Sequence, residues 1–209
     1  MPLYKTITFN AKTKLLIWKI EESFDVLSEG IDLTDHCQER VNGMKSDLHR
    51  RGFMSIRHLL ADVGYTDFDL FYDENGKPHL IDGKHISITH SYTFTAIIIS
   101  DVAVGIDIEK QRTKILKIAH KFTTVEEYST LANEDAIMRK LTIVWGAKEA
   151  LYKSFSHPGI SFLNQIFVED FRLDDKETSA TVHAANRSET YSVYFQEFEE
   201  FTLVYAVIS

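Results

Sequence analysis

Three carboxylates and a lysine in this chain have the types and spacing for work on a phosphate. Asp107 and Glu109 lie in Val104-Gly105-Ile106-Asp107-Ile108-Glu109. Glu149 follows 42 positions after Asp107, within Trp145-Gly146-Ala147-Lys148-Glu149-Ala150-Leu151-Tyr152-Lys153. The first segment reads as a β-strand, where residues two apart point to one face, so both acids project together. The second reads as a helix, where Glu149 and Lys153 share a side. Hard divalent cations take oxygen ligands, and Mg²⁺ is usually held by one or two carboxylates with substrate phosphate oxygens and water. Together the four side chains suggest metal-assisted chemistry on a phosphorylated substrate. Each segment alone has a plainer reading: a solvated strand end, and a surface Glu/Lys pair worth a few tenths of a kcal/mol.

The elements that must hold these groups follow from the hydrophobic pattern. Leu3 to Phe9 and Leu15 to Ile20 alternate as paired strands. Leu48, Phe53, Ile56, Leu59, Leu60 and Val63 recur at helical steps, and Gly64 supplies a stop. Strands are predicted at Phe68 to Tyr72, Ile86 to Thr89, Phe94 to Ser100 and Val102 to Ile108, with a turn at Asn75-Gly76 because both residues tolerate positive φ. Helices resume near Ile115. Thr123 and Thr124 each have Glu three residues on, which predicts a helix start near Val125. A longer helix from Glu134 to Phe155 ends before Pro158-Gly159. Strands follow at Ile166 to Phe171, Ala180 to Ala184, Tyr191 to Phe195 and Thr202 to Ile208. Each half holds strands and one long helix, with a break near Asp101, and periodicity alone gives the α+β class.

Taken as a pair at this spacing, the two segments resemble the signature of the 4′-phosphopantetheinyl transferase superfamily: hydrophobic-Gly-hydrophobic-Asp-x-Glu, then Trp/Phe-(Ser/Cys/Thr)-x-Lys-Glu-(Ala/Ser)-x-x-Lys. Upstream, Gly76-Lys77-Pro78 and Ile86-Ser87-Ile88-Thr89-His90-Ser91 resemble the family's Gly-(Arg/Lys)-Pro and Ser-His-Ser elements. Lys121-Phe122-Thr123-Thr124-Val125-Glu126 resembles its Phe-Phe-Ser-x-x-Glu. Two positions depart from the pattern: Gly146 stands where the family has Ser, Thr or Cys, and Thr89 replaces the first Ser of Ser-His-Ser. Neither removes a carboxylate or a lysine.

The resemblance implies two similar α/β lobes related by a pseudo-twofold axis, residues 1–101 and 102–209, with the magnesium and catalytic motifs in the second and the active site between them. It implies transfer of the phosphopantetheine arm of coenzyme A to a serine of an acyl or peptidyl carrier protein, releasing 3′,5′-adenosine diphosphate. The chain's length favours the single-chain type over the short, trimer-forming one, and a monomer is expected. Asp107, Glu109 and Glu149 would hold Mg²⁺, and Glu149 would also serve as base. Lys153 and Lys148 would offer ammonium groups to the phosphates. His90 and Thr89 would touch the coenzyme's phosphates, Lys77 and Pro78 its adenine and 3′-phosphate side, and Arg57, with Arg51 a weaker candidate, the 3′-phosphate. Trp145 is expected to be structural. A non-catalytic coenzyme A or carrier-binding relative is the runner-up, and a metal-dependent phosphohydrolase a third reading.

Composition limits the classes further. With 209 residues, 44% of them hydrophobic, the chain can bury a substantial core. A net charge of −8 argues against a general nucleic-acid binder, which shows a basic footprint. That average hides a basic stretch: Lys110, Arg112, Lys114, Lys117 and Lys121 occur with no acid among them. It predicts attraction of an acidic carrier protein, against the plainer reading of a solvated helix face. Cys37 is the lone cysteine, so no intramolecular disulfide forms and a reducing compartment is the simplest setting. Met1 to Asn10 lacks a basic region followed by a long apolar run, so neither signal nor membrane anchor is expected, and the cytoplasm is the default.

Overall fold

A computed structural model describes residues 3–124 and 133–209. The helix start expected near Val125, and the family-like Val125 and Glu126, lie outside the described residues. The chain divides into two compact units, Met1–Asp101 and Val102–Ser209.

In the first unit, strands β1 (Leu3–Asn10), β2 (Thr13–Lys19), β5 (His85–Ser91) and β6 (Phe94–Ser100) form an antiparallel sheet in the order β1-β2-β6-β5. A separate pair joins β3 (Leu70–Tyr72) to β4 (Pro78–Leu80). The helices are α1 (Phe24–Ser28), α2 (Asp35–Gly43) and α3 (Asp47–Ala61). The Ser46 hydroxyl caps α3 by accepting from the His49 N–H at 3.3 Å, and Gly64 leaves it at φ +85°. Phe53, Ile56, Leu59 and Leu60 of α3 join Leu16, Trp18, Ile97 and Ile99 of the sheet in one core. The strand expected from Phe68 begins only at Leu70. The Thr66 amide and hydroxyl both donate to the Asp69 carboxylate at 2.7 Å, which winds Asp67–Asp69 into a 3₁₀ turn.

In the second unit, β7 (Val104–Lys110), β8 (Ile166–Val168), β9 (Glu177–Ala184), β10 (Arg187–Phe198) and β11 (Phe201–Ile208) are ordered β7-β11-β10-β9-β8. Two-residue turns with positive φ at Ala185–Asn186 and Glu199–Glu200 join β9 to β10 and β10 to β11. Of its helices α4 (Lys114–Ile118), α5 (Glu134–Phe155) and α6 (Phe162–Gln165), α5 is the long one. The Asn133 side chain caps it at Ala136, and Ser156 ends it in the left-handed conformation. No described helix is long and apolar enough to cross a membrane.

The seating of α5 on this sheet is what arranges the acidic side chains. On one face of β7, Gly105, Asp107 and Glu109 pair with Ala206, Val204 and Thr202 of β11. A Cβ on Gly105 would lie 1.8 Å from the carbonyl oxygen of Ala150, so the helix backbone rests on the strand backbone there. A Cβ on Gly146 would lie 2.8 Å from Val204 Cγ2, a second close approach. Leu141, Val144, Ala147 and Leu151 of the helix complete the seat against Val193, Val204 and Ala206.

Candidate active site

Asp107 is 5% exposed, and its Oδ1 accepts from Lys153 Nζ at 2.7 Å. The same ammonium donates to the Ile106 carbonyl at 2.9 Å, on the edge strand of the sheet. Lys153 stands one helical turn beyond Glu149, so both face β7 from α5. Burial raises the Glu149 carboxyl above its ordinary range and the Asp107 charge raises it further, while Lys153 offsets part of the rise. Glu109 is pushed up to about 7, first by burial and then by Asp107; a hydrogen bond from Trp145 and the charge of Arg112 pull the other way, and Glu149 adds to the rise. Asp107 therefore acts on both glutamates, and the three acids share one field.

Among the described residues, no group of three His, Cys, Asp or Glu side chains is arranged to hold a metal ion. The expected convergence of Asp107, Glu109 and Glu149 on one cation is not in place; the cation beside Asp107 is the Lys153 ammonium. The donor set itself fits a hard divalent ion. All three groups offer oxygen, and two of them are raised by burial and by Asp107's charge, a repulsion that added positive charge would relieve.

Trp145 does more than the structural packing expected of it. The indole N–H is the side chain's only donor, so the Trp145 to Glu109 bond holds that carboxylate in one orientation. Phe122 and Phe162, with ring centroids 5.1 and 5.4 Å away, orient the indole in turn. Trp145, Glu109, Arg112, Lys114, Ile115 and Ile118 line a cavity of about 200 Å³. Sequence reading gave Trp145 a structural place and Arg112 one in the basic stretch, and put neither beside Glu109. The available signal was position, since Trp145 lies four residues before Glu149 on the same helix side.

Lys148 departs from the expectation of phosphate binding. It is 2% exposed, and its ammonium donates to the Phe122 and Phe162 carbonyls at 2.5 and 2.7 Å, tying α5 to the segments around it. Arg57 departs in the same way. Also 2% exposed, it directs its guanidinium at the Asp67 carboxylate (2.9 and 2.8 Å), the Phe53 carbonyl (3.2 Å) and Cys37 Sγ (3.3 Å). Burial pushes Asp67 up, but the Thr34 amide and the Arg57 charge outweigh it and hold the carboxyl below its ordinary range. This ion pair ties α3 to Thr34, the N-cap of α2. Arg51 donates to the Ile20 carbonyl at 3.2 Å and lies 3.6 Å from Asp47.

In the first unit a cleft of about 450 Å³ gathers Arg40, His49, Phe53, Tyr72, Pro78 and His90. Pro78 and His90 were singled out from sequence; Arg40 and His49 were not. The Arg40 guanidinium lies over the Tyr72 and Phe53 rings, 5.3 and 5.7 Å from their centroids, and its residue is exposed. His49 meets the His90 ring edge-to-face at 5.8 Å. Extending the α3 stripe one turn back from Gly52 and Phe53 would have found His49. Gly76 also lines the cleft, whereas Lys77 beside it is half-buried. Burial lowers the Lys77 ammonium's pKa, and Asp73 offsets part of that. Thr89 departs from the expectation that it shares His90's site. It pairs with Ala96 while His90 pairs with Thr95, and α3 packs on the His90 and Thr95 side of the sheet. Alternation along β5 therefore turns Thr89 away from the cleft.

Residues 103–206 match the 4′-phosphopantetheinyl transferase superfamily. The 4′-phosphopantetheinyl transferase psf-1 of Bacillus pumilus is 29% identical over 157 residues, covering 68% of this chain and 67% of that protein. The 4′-phosphopantetheinyl transferase gsp of Aneurinibacillus migulanus is 28% identical over 148 residues, 69% of this chain and 60% of that protein. The 4′-phosphopantetheinyl transferase Sfp of Bacillus subtilis strain 168 is 30% identical over 118 residues, 52% of this chain and 53% of that protein. The aligned stretches thus span 53% to 67% of these relatives' own lengths. With the family match lying across the strand and helix that bear the acids, the chain belongs to the 4′-phosphopantetheinyl transferase superfamily of enzymes.

Proposed function

We propose that this protein transfers the phosphopantetheine arm of coenzyme A to a serine hydroxyl of an acyl or peptidyl carrier protein, with Mg²⁺, and releases 3′,5′-adenosine diphosphate. The observation that carries the reading is the contact of α5 with β7, which puts Glu149, Asp107 and Lys153 in one electrostatic unit. In the transfer, the serine oxygen bonds to the phosphorus bearing the arm, and the bond from that phosphorus to the adenosine-side phosphate oxygen breaks. The serine proton goes to Glu149, whose raised pKa suits a general base. Asp107, Glu109 and Glu149 would hold the Mg²⁺, which when bound neutralises diphosphate charge. Lys153, a flexible point charge, is assigned to the diphosphate.

The cleft of the first unit suits the adenosine end. Phe53 and Tyr72 offer ring faces, while Arg40, His49 and His90 offer donors to the 3′-phosphate in place of the buried Arg57. Carrier recognition is assigned to Lys110–Lys121, and the same reading has the protein act as a cytoplasmic monomer. The runner-up, a non-catalytic binding module, rested on Gly146 and Thr89. Gly146 has a packing explanation in Val204 and costs the site no carboxylate.

Mass spectrometry of an apo carrier incubated with this protein, coenzyme A and Mg²⁺ tests the reading. The carrier should gain one phosphopantetheine arm. Glu149→Ala and Asp107→Ala should each slow transfer by about 100- to 10,000-fold while circular dichroism stays unchanged. Wild-type rates in either variant would overturn the mechanism. No mass gain with the wild-type chain would favour the binding module, and nucleotide release without carrier the hydrolase.

A further inference from the structure

Two contacts of unlike kind fix the height of α5 above the sheet. Gly105 against the Ala150 carbonyl is backbone on backbone, where no side chain at 105 fits. At Gly146 the opposing atoms belong to a side chain: a Cβ there would stand 2.8 Å from Val204 Cγ2 and 3.2 Å from its Cβ. Val204 is fully buried and is the cross-strand partner of Asp107. Its β-branched side chain is restricted at χ1, and it is packed on all sides, so the methyl does not swing aside without cost. The same Cβ position lies 3.8 Å from Asp107 Oδ2, close enough for a serine hydroxyl at 146 to reach that oxygen.

We infer that Val204 is a positioning residue for the transfer reaction: its Cγ2 methyl fills the space a side chain at 146 would take, and so sets how Glu149 and Lys153 on α5 stand relative to Asp107 on β7. The inference rests on the transferase reading for its activity arm alone. Gly146 and Val204 then form a matched pair, and changing one calls for a change in the other. A helix raised by about 1 Å separates Glu149 from Asp107, and misplacement on that scale costs about 100-fold in rate.

The test is a double-mutant cycle of Gly146→Ser, Val204→Ala and the two combined, measured on the full chain. One readout is the rise in melting temperature caused by Mg²⁺ without coenzyme A; the other is kcat and KM for transfer. Gly146→Ser should lower the melting temperature, shrink the Mg²⁺ increment and cut kcat by about tenfold or more, with KM for coenzyme A within about twofold. Val204→Ala alone should cost stability through its cavity and, with the seat of α5 loosened, cut kcat by about fivefold or more. The double variant should recover the Mg²⁺ increment and kcat to within about threefold of wild type. A merely structural contact would move the melting temperature and leave the increment and kcat alone, and that result overturns the inference, as does a double variant no better than Gly146→Ser. Should Gly146→Ser fail to fold, a folded and active double variant supports the pairing and an unfolded one overturns it. A wild-type chain that transfers nothing while the Mg²⁺ increments follow the cycle sinks the transferase reading and leaves the positioning role standing. With no Mg²⁺ increment in the wild type, kcat decides, and a double variant whose kcat is no better than that of Gly146→Ser overturns the inference.

Discussion

At Glu109, burial first and the Asp107 charge second push the carboxyl up to about 7, which has a consequence for stability. The folded state binds more protons than the unfolded chain between the ordinary glutamate pKa and about 7, so stability falls as pH rises through that window and the loss is complete above it. Glu109→Gln removes the charge and keeps an amide oxygen to accept from Trp145. It should therefore melt higher than wild type at pH 8 without metal, with the difference closing toward pH 4.5. Mg²⁺ should raise the wild-type melting temperature more at pH 8 than at pH 5.5, and do so less in the variant. Calorimetry across that range is the check, and an equal Mg²⁺ effect at both pH values would remove Glu109 from the ligand set. That Asp107 and Glu109 share a strand face, and Glu149 and Lys153 a helix side, was legible from spacing, because a strand repeats every two residues and a helix about every four; their joint hold on a cation came from the resemblance alone. The places of Arg57 and Lys148 were not legible. Sequence displays a cation, but its partner, Asp67 for one and two carbonyls for the other, is set by chain segments that only the fold brings close.

Among the elements, β7 and α5 depend on the glycine that lets them touch. A Cβ at 105 would meet Ala150's carbonyl oxygen at 1.8 Å and its carbonyl carbon at 2.6 Å, and backbone atoms of a helix cannot rotate away. Gly105→Ala should destabilise the chain by about 3 kcal/mol or more, because α5 must lift as a whole. Urea unfolding with unchanged slope would show it, and a variant within about 0.5 kcal/mol of wild type would mean the helix does not bear on the strand. The helix from Glu134 to Phe155 and the strand from Phe94 to Ser100 were legible to their end residues, since one runs six turns on a steady apolar stripe and the other is fully buried. α2 was legible only as a helical stretch around Cys37, without bounds. It buries only Cys37 and Val41 in nine residues, too few for a periodic signal, and its place is set by Thr34 and the Asp67 to Arg57 pair. β8 stops at Val168, short of the Phe171 expected from its apolar text. Phe171 is buried beyond the strand, against Phe195 and the Lys140 ammonium, so its hydrophobicity serves the core and not the ladder.

Over the whole molecule the charge of −8 should repel an acidic partner, and the basic stretch after β7 opposes that average. The division of labour within α4 favours a recognition surface: Ile115, Leu116 and Ile118 pack on the core while Lys114 and Lys117 stay exposed. Exposed lysines add little to stability, so reversing them leaves the fold intact and reports on encounter. Lys114→Glu with Lys117→Glu should raise the KM for an acidic carrier by about tenfold, leave the KM for coenzyme A within about twofold, and flatten the fall of kcat/KM with added salt. Rates measured from low to high ionic strength distinguish the cases. Equal weakening toward carrier and coenzyme would place the lysines beside the nucleotide instead, and an unchanged salt slope would return α4 to the plain role of a solvated helix face.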